Sequence, residues 1–126
     1  MKNLILIIAI TIGLTIQCIG QDYMKVLNEK DYATLVSYTN ATINLEIDRN
    51  KSTEKSTVAI NKVQEKLETF SPIKWESVHR GASESKDAKY FIAEARNTSG
   101  DGLRLFFHLE TVGDKRKISS IRVRAL

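Results

Sequence analysis

Between residues 102 and 112 the chain alternates with a period of two. Leu103, Leu105, Phe107 and Leu109 fall on one side, and Arg104, Phe106, His108 and Glu110 on the other. Such a run is a strand whose apolar face needs a cover. Three further stretches, 73–82, 88–97 and 117–124, read as strands too, and the connections 83–87, 98–101 and 113–116 are short and polar, as hairpins require. The second half of the chain therefore predicts a four-stranded antiparallel meander. In its first strand Trp75 and Val78 differ in parity, so burying both would require a bulge near Glu76 or Ser77.

The residues before Pro72 supply the cover. Residues 22–39 predict a helix bent around 29–31, with Val26, Leu27, Leu35 and Val36 at helical spacing and Asp22 and Asp31 at helix starts. Ile43, Leu45 and Ile47 then alternate with Thr42, Asn44 and Glu46, which predicts a half-buried strand, and 48–51 predicts a turn. Ser52 or Thr53 is the expected cap of the most regular helix, with Glu54 in its first turn, where the macrodipole favours an acid. Ile60, Val63, Leu67 and Phe70 form its apolar stripe, while Lys55, Asn61, Lys62, Glu65 and Glu68 stay wet. Pro72, the only proline, stops it. The stripe is expected to lie across the leucine-bearing side of the sheet, giving a single α+β domain.

The amino terminus changes what counts as that domain. Lys2, the apolar run 4–10 and its weaker continuation to Ile16 fit an export signal, so residues 1–20 are expected to be a signal peptide and residues 21–126 the domain. Cleavage after Gly20 leaves Gln21 first and the protein periplasmic or secreted; an uncleaved anchor is the alternative. Acylation of Cys18 as a lipoprotein is less favoured, because Gln17 stands where that processing wants a small residue. The cleaved chain has no cysteine, so its core must hold it without a disulfide. Loss of Lys2 takes the formal net charge from +4 to about +3. That surplus is ordinary solubility and argues against nucleic acid as a partner.

The order helices, strand, helix and four-stranded meander resembles the nuclear transport factor 2-like, cystatin-like α+β cone. Within that superfamily, the export signal, the serine-capped helix, His79-Arg80-Gly81, Tyr90 followed by Ile92, and Arg104-Leu105-Phe106-Phe107 are similar to a secreted family of Bacteroidota, domain of unknown function 4783. The resemblance covers nearly the whole mature chain. It implies a strongly curved sheet wrapped around helices, with a cavity at the open end of the cone. Members of the broader superfamily use that cavity for isomerase, dehydratase or hydrolase chemistry or for binding only, and many pair through the outer sheet face. The particular family brings no activity to transfer.

The residues themselves do not commit to a reaction. His79 and His108 are the only histidines. Parity puts His108 with Arg104 and Glu110, away from the leucines, and His79 sits beside Gly81, where a structural hydrogen bond is the simpler role. Asp22, Asp31, Asp48, Asp87, Asp101 and Asp114 all fall at helix starts or turns, and Glu94 shares parity with Arg96, so no carboxylate dyad arises. Two isolated histidines and no mature cysteine give no metal-ligand spacing, and 83–85 and 99–102 are turn chemistry rather than phosphate loops. No catalytic residue, metal or cofactor is expected. The sequons at Asn40, Asn50 and Asn97 are chance matches in a bacterial export setting.

Two surfaces remain. On the leucine side, Tyr38, Phe70, Trp75, His79, Phe91 and Ala93 are the candidate lining of a modest pocket for a small apolar ligand. On the opposite side, Tyr90, Arg96, Arg104, Phe106, His108, Arg122 and Arg124 mix arginines with aromatics, as protein interfaces do. That face is expected to pair with itself or with an envelope protein. The expected function is an exported, non-enzymatic small-ligand-binding or protein-interaction module of the bacterial envelope. The alternative, a small-molecule enzyme of the isomerase or dehydratase kind, needs an ionisable side chain inside the cavity.

Overall fold

The computed structural model describes residues 22–78 and 89–126. The segment expected to be an export signal, with Cys18, and also His79 and the connection 83–87 lie outside the described residues. Two short helices come first, α1 (Tyr23–Glu29) and α2 (Tyr32–Ser37), then β1 (Thr39–Ile47), β2 (Asn50–Lys55) and the long helix α3 (Ser56–Phe70). The strands β3 (Lys74–Ser77), β4 (Tyr90–Arg96), β5 (Gly102–Val112) and β6 (Lys115–Ala125) follow. The bend between α1 and α2 is made by Lys30, whose left-handed φ of 58° returns its N–H to the carbonyls of α1. Asp31 restarts the helix, its carboxylate accepting the Thr34 N–H at 3.2 Å and the Thr34 hydroxyl at 2.7 Å.

Among the described residues six strands form one sheet, in the order β2-β1-β6-β5-β4-β3. β1 and β6 are parallel and the other neighbours antiparallel, so the meander from β3 to β6 is present as expected. β2 is the strand that the hydrophobic pattern does not show. The chain reverses on Asp48 and Arg49, with φ of 51° and 72°, the tight two-residue hairpin geometry, and then pairs from Ile47↔Asn50 to Thr42↔Lys55. The turn is thus shorter than 48–51, and α3 begins only at Ser56, behind Lys55 and without a side-chain cap. Ser52, Thr53 and Glu54 belong to β2 instead of the helix start. From there Glu54 reaches α3 through an ion pair with Lys62.

The bulge also lies elsewhere. Trp75 is 2% exposed but Val78 is 39% exposed, and β3 meets β4 in unbroken register from Lys74↔Arg96 to Ser77↔Ala93. In β6, by contrast, His108 pairs with Ser120 while Leu109 pairs with Ile118, which leaves Ser119 as an extra residue. That insertion lets Ile118 and Ile121, of opposite parity, both be fully buried.

The inward row Leu103, Leu105, Phe107 and Leu109 is buried in one cluster with Ile60, Val63 and Leu67 of α3 and with Val26, Leu27 and Leu35 of the first two helices. The helical stripe therefore lies on the leucine-bearing side. α3 runs over β1 and β2, and α1 over β3. Asn28 of α1 fastens that end: its Oδ1 accepts the Trp75 N–H at 2.8 Å and its amide donates to the Trp75 carbonyl at 3.4 Å. β3 thereby gains the backbone partner that another strand would provide. Asn97 does the same for the β4–β5 turn, accepting the N–H groups of Ser99 and Asp101 at 3.0 Å each and donating to the Phe70 carbonyl at 3.3 Å.

Candidate functional site

On the inner side, the residues expected to line a pocket are placed around the core. Trp75, Phe91 and Ala93 are buried, Tyr38 and Phe70 are half-buried against the cluster, and His79 lies outside the described residues. Tyr23 stands among them, its ring centroid 5.6 Å from Tyr38, 5.0 Å from Phe91 and 5.7 Å from Phe107. Burial pushes the Tyr23 phenol up to about 12, against the opposing pull of the Arg116 guanidinium bonded to it. Pattern reading selects neither Tyr23 nor Arg116. For Tyr23 the signal exists, since Tyr23, Val26 and Leu27 follow the i, i+3, i+4 spacing of a buried helix face.

On the outer side, strand register lines the side chains up in rows. Glu76, Glu94, Arg104 and Arg124 run across β3, β4, β5 and β6. Ile92, Phe106, Arg122 and Glu46 form the next row, across β4, β5, β6 and β1, and Tyr90, His108, Ser120 and Asn44 the one after. The Tyr90 ring, 44% exposed, lies 5.1 Å from Phe106 and 5.2 Å from His108. The Arg122 guanidinium sits 5.3 Å from the Phe106 centroid, a cation–π stack. Arg104 donates to one oxygen of Glu94 through Nε, at 2.7 Å, and through Nη2. Together Ile92, Phe106, Arg104, Arg122 and Arg124 line a hollow of about 180 Å³. A second hollow of about 350 Å³ lies beside it, with Asn44, Glu46, Lys51, Thr53, Ser120 and Arg122 in its walls.

Glu46 ties the two hollows together. Though on the polar side of β1, it is only 7% exposed, accepting from Arg124 Nη2 at 2.8 Å and Nε at 3.1 Å, with Arg122 Nε at 3.7 Å. The hydrogen bonds from Arg124 hold the Glu46 carboxyl below its ordinary value; desolvation opposes them, and the charges of Arg124, Arg122 and Lys51 add to them. A depressed carboxyl stabilises the fold at neutral pH, and that contribution is lost as pH falls through its folded-state value. Glu46→Gln is therefore expected to lower the melting temperature at pH 7, with the gap from the parent protein closing below the ordinary carboxylate range. A gap independent of pH in melts from pH 7 to pH 2 would show that the carboxylate charge is not its cause.

The remaining candidates have local partners. His108 Nδ1 lies 2.9 Å from Ser119 Oγ, which also donates towards the His108 carbonyl at 3.3 Å. The pair staples the bulge. Arg96 Nη1 donates to the Gly100 carbonyl at 3.1 Å, which places it in the β4–β5 turn, apart from the aromatic rows. Among the described residues no group of three or more histidine, cysteine, aspartate or glutamate side chains is placed to hold a metal ion.

A family model for a domain of unknown function, DUF4783, matches residues 21–124. The chain belongs to the DUF4783 family. This DUF4783 domain is similar to the crystal structure of a DUF4783 family protein from Bacteroides ovatus, with a TM-score of 0.71 over 86% of this chain and 96% of that one at 18% identity. It is similar also to a DUF4783 family protein from Bacteroides fragilis, with a TM-score of 0.71 over 86% and 99% of the two chains at 17% identity. SalBIII, an epoxide hydrolase/cyclase-like enzyme in pyran ring formation in polyether salinomycin, gives a TM-score of 0.53 over 82% and 84% at 19% identity. No curated protein matches the chain. At these identities the likeness to solved structures speaks for the fold alone, and that fold is the nuclear transport factor 2-like α+β cone, with helices packed on a curved six-stranded sheet.

Proposed function

We propose that this DUF4783 domain is an exported, non-enzymatic protein-interaction module of the bacterial envelope, working through the outer face of its sheet. The observation that carries the reading is the array of Tyr90, Phe106 and Arg122 left uncovered beside the hollow at Phe106. Aromatic rings bury large area at little entropic cost and arginines stack and fork, which is why both concentrate at interfaces. Here Glu94 and Glu46 already hold Arg104 and Arg124 in place, so a partner would meet side chains that have lost much of their freedom beforehand. This reading is preferred to a small apolar ligand on the inner side, where the Tyr23 ring stands between Tyr38, Phe91 and Phe107. The isomerase or dehydratase alternative draws only on a fold shared with enzymes, which is weak support for chemistry.

Export rests on the Lys2 and 4–10 pattern. Intact mass of the protein taken from its native envelope is expected to begin at Gln21, and a chain beginning at an acylated Cys18 would replace that reading with a lipid anchor. For the interface, a photo-crosslinking amino acid placed at Phe106 in native cells is expected to give a discrete protein adduct. The same group at Lys62, on the far side of the molecule, is expected to give none. A folded Phe106 variant that yields no adduct beyond the Lys62 background would overturn the interaction reading.

A further inference from the structure

Resting on the outer face as a protein-binding surface, we infer that its partner presents an acidic segment, one glutamate side chain of which docks in the hollow where Arg104, Arg122 and Arg124 stand over Ile92 and Phe106. Strand register gathers the three guanidiniums at one place. Arg104 lies opposite Arg124 across the β5–β6 ladder, and Arg122, two residues before Arg124 on the same side of β6, lies opposite Phe106. Like charges directly opposite each other on adjacent strands are unfavourable, and an anion between them removes that cost. The acids of the face do so only in part. Glu94 holds Arg104 and Glu46 holds Arg124, each taking Nε and Nη2 of its arginine on a single carboxylate oxygen. Two carboxylates thus answer three guanidiniums, and Lys51, opposite Glu46 on β2, adds a further cation in the neighbouring hollow. Glu76 stands one strand beyond Glu94, in a separate hollow with Lys74 and Arg96.

Donors remain for a ligand. The side chains of Arg104, Arg122 and Arg124 are 48%, 44% and 51% exposed. A guanidinium carries five N–H donors, so Arg104 and Arg124 each keep three after serving their own acids. Among the described residues Arg122 donates no hydrogen bond: it stacks on Phe106, and its Nε lies 3.7 Å from Glu46, beyond hydrogen-bond reach. At about 180 Å³ the hollow falls below the roughly 300–1,000 Å³ of pockets that enclose a drug-sized molecule, and it suits one side chain. Its chemistry selects which one. Guanidinium forks take a carboxylate through two parallel bonds, while Ile92 and Phe106 offer apolar surface to the methylenes that carry it. A bare phosphate or sulfate brings no apolar part for that surface, and a basic or neutral segment leaves the surplus positive charge unanswered.

A labelled hexaglutamate peptide is expected to bind the purified protein at low salt in fluorescence anisotropy, and to bind less tightly as salt rises. No binding would overturn the inference. Arg122→Gln is expected to weaken binding about tenfold or more, since it removes the guanidinium whose donors the sheet leaves unused. Lys62→Gln makes the same charge change on the far side and is expected to leave binding as in the parent; an equal loss there would overturn the hollow as the site. Arg122→Lys keeps the charge without the fork and is expected to bind more weakly than the parent. Should Arg122→Gln fail to fold, Arg122→Lys carries the test alone, with binding equal to the parent as the overturning result. A heparin hexasaccharide that binds more tightly than hexaglutamate, through the same arginines, would replace the acidic protein segment with an anionic glycan. In native cells the partner peptide joined to the photo-crosslinker at Phe106 is expected to carry aspartate or glutamate. A joined peptide without acids would overturn this inference and leave the interaction reading intact, whereas the absence of any adduct would overturn that reading and the inference with it.

Discussion

Replacing Phe107 by alanine is expected to lower the stability of the domain by about 3–5 kcal/mol in denaturant titrations. Phe107 is fully buried on β5, with Phe91 opposite it across the β4 ladder at 5.7 Å and Tyr23 of α1 above it at 5.7 Å. Truncation leaves a cavity at the meeting of the sheet and the first helix, where rigid rings cannot collapse into the space. A domain of this size holds only about 5–15 kcal/mol in all, so the loss is a large share of it. Phe106→Ala, one residue away on the outer face, is expected to cost about 1 kcal/mol or less. Equal losses at the two positions would contradict the assignment of faces on β5, and with it the exposed array.

Leu67→Ala is expected to cost about 2–5 kcal/mol, while Glu68→Ala, the next residue, stays within about 0.5 kcal/mol. Leu67 is buried under α3, and Glu68 points to solvent, where it meets Gln64 at 3.2 Å. Because α3 starts without a side-chain cap, its hold on the domain comes chiefly from burying Ala59, Ile60, Val63 and Leu67 rather than from its own end. Amide exchange along α3 is expected to rise in Leu67→Ala and not in Glu68→Ala. If both substitutions cost the same, the stripe does not seat the helix on the sheet.

Elements with one apolar face are legible from the chain alone. The period-two run of β5 matches the observed Gly102–Val112, and the stripe of α3 points where it should. β2 is not legible in this way, because Asn50–Lys55 has no apolar residue to alternate, and only the tight reversal at Asp48 and Arg49 marks it. The bulge at Ser119 leaves a readable trace: Ile118 and Ile121 differ in parity, the same test that Trp75 and Val78 present, but here both side chains are buried. Glu46 is harder. Alternation puts it correctly on the polar side, yet its burial depends on Arg122 and Arg124 of β6, which reach it through a parallel pairing that no local pattern encodes. For the same reason the candidate interface is recognisable as a set of residue types, while the charge order of its rows emerges only once the strands are in register.

Asn50–Lys55 has one more effect, on how the molecule keeps its own company. As the outermost strand among the described residues, it offers backbone groups that no described strand pairs to any extended peptide, an invitation to ribbon-like stacking. Lys51, Glu54 and Lys55 surround that rim with charge, and at the far rim Asn28 occupies the backbone groups of Trp75. Sideways polymerisation is thus discouraged at both flanks.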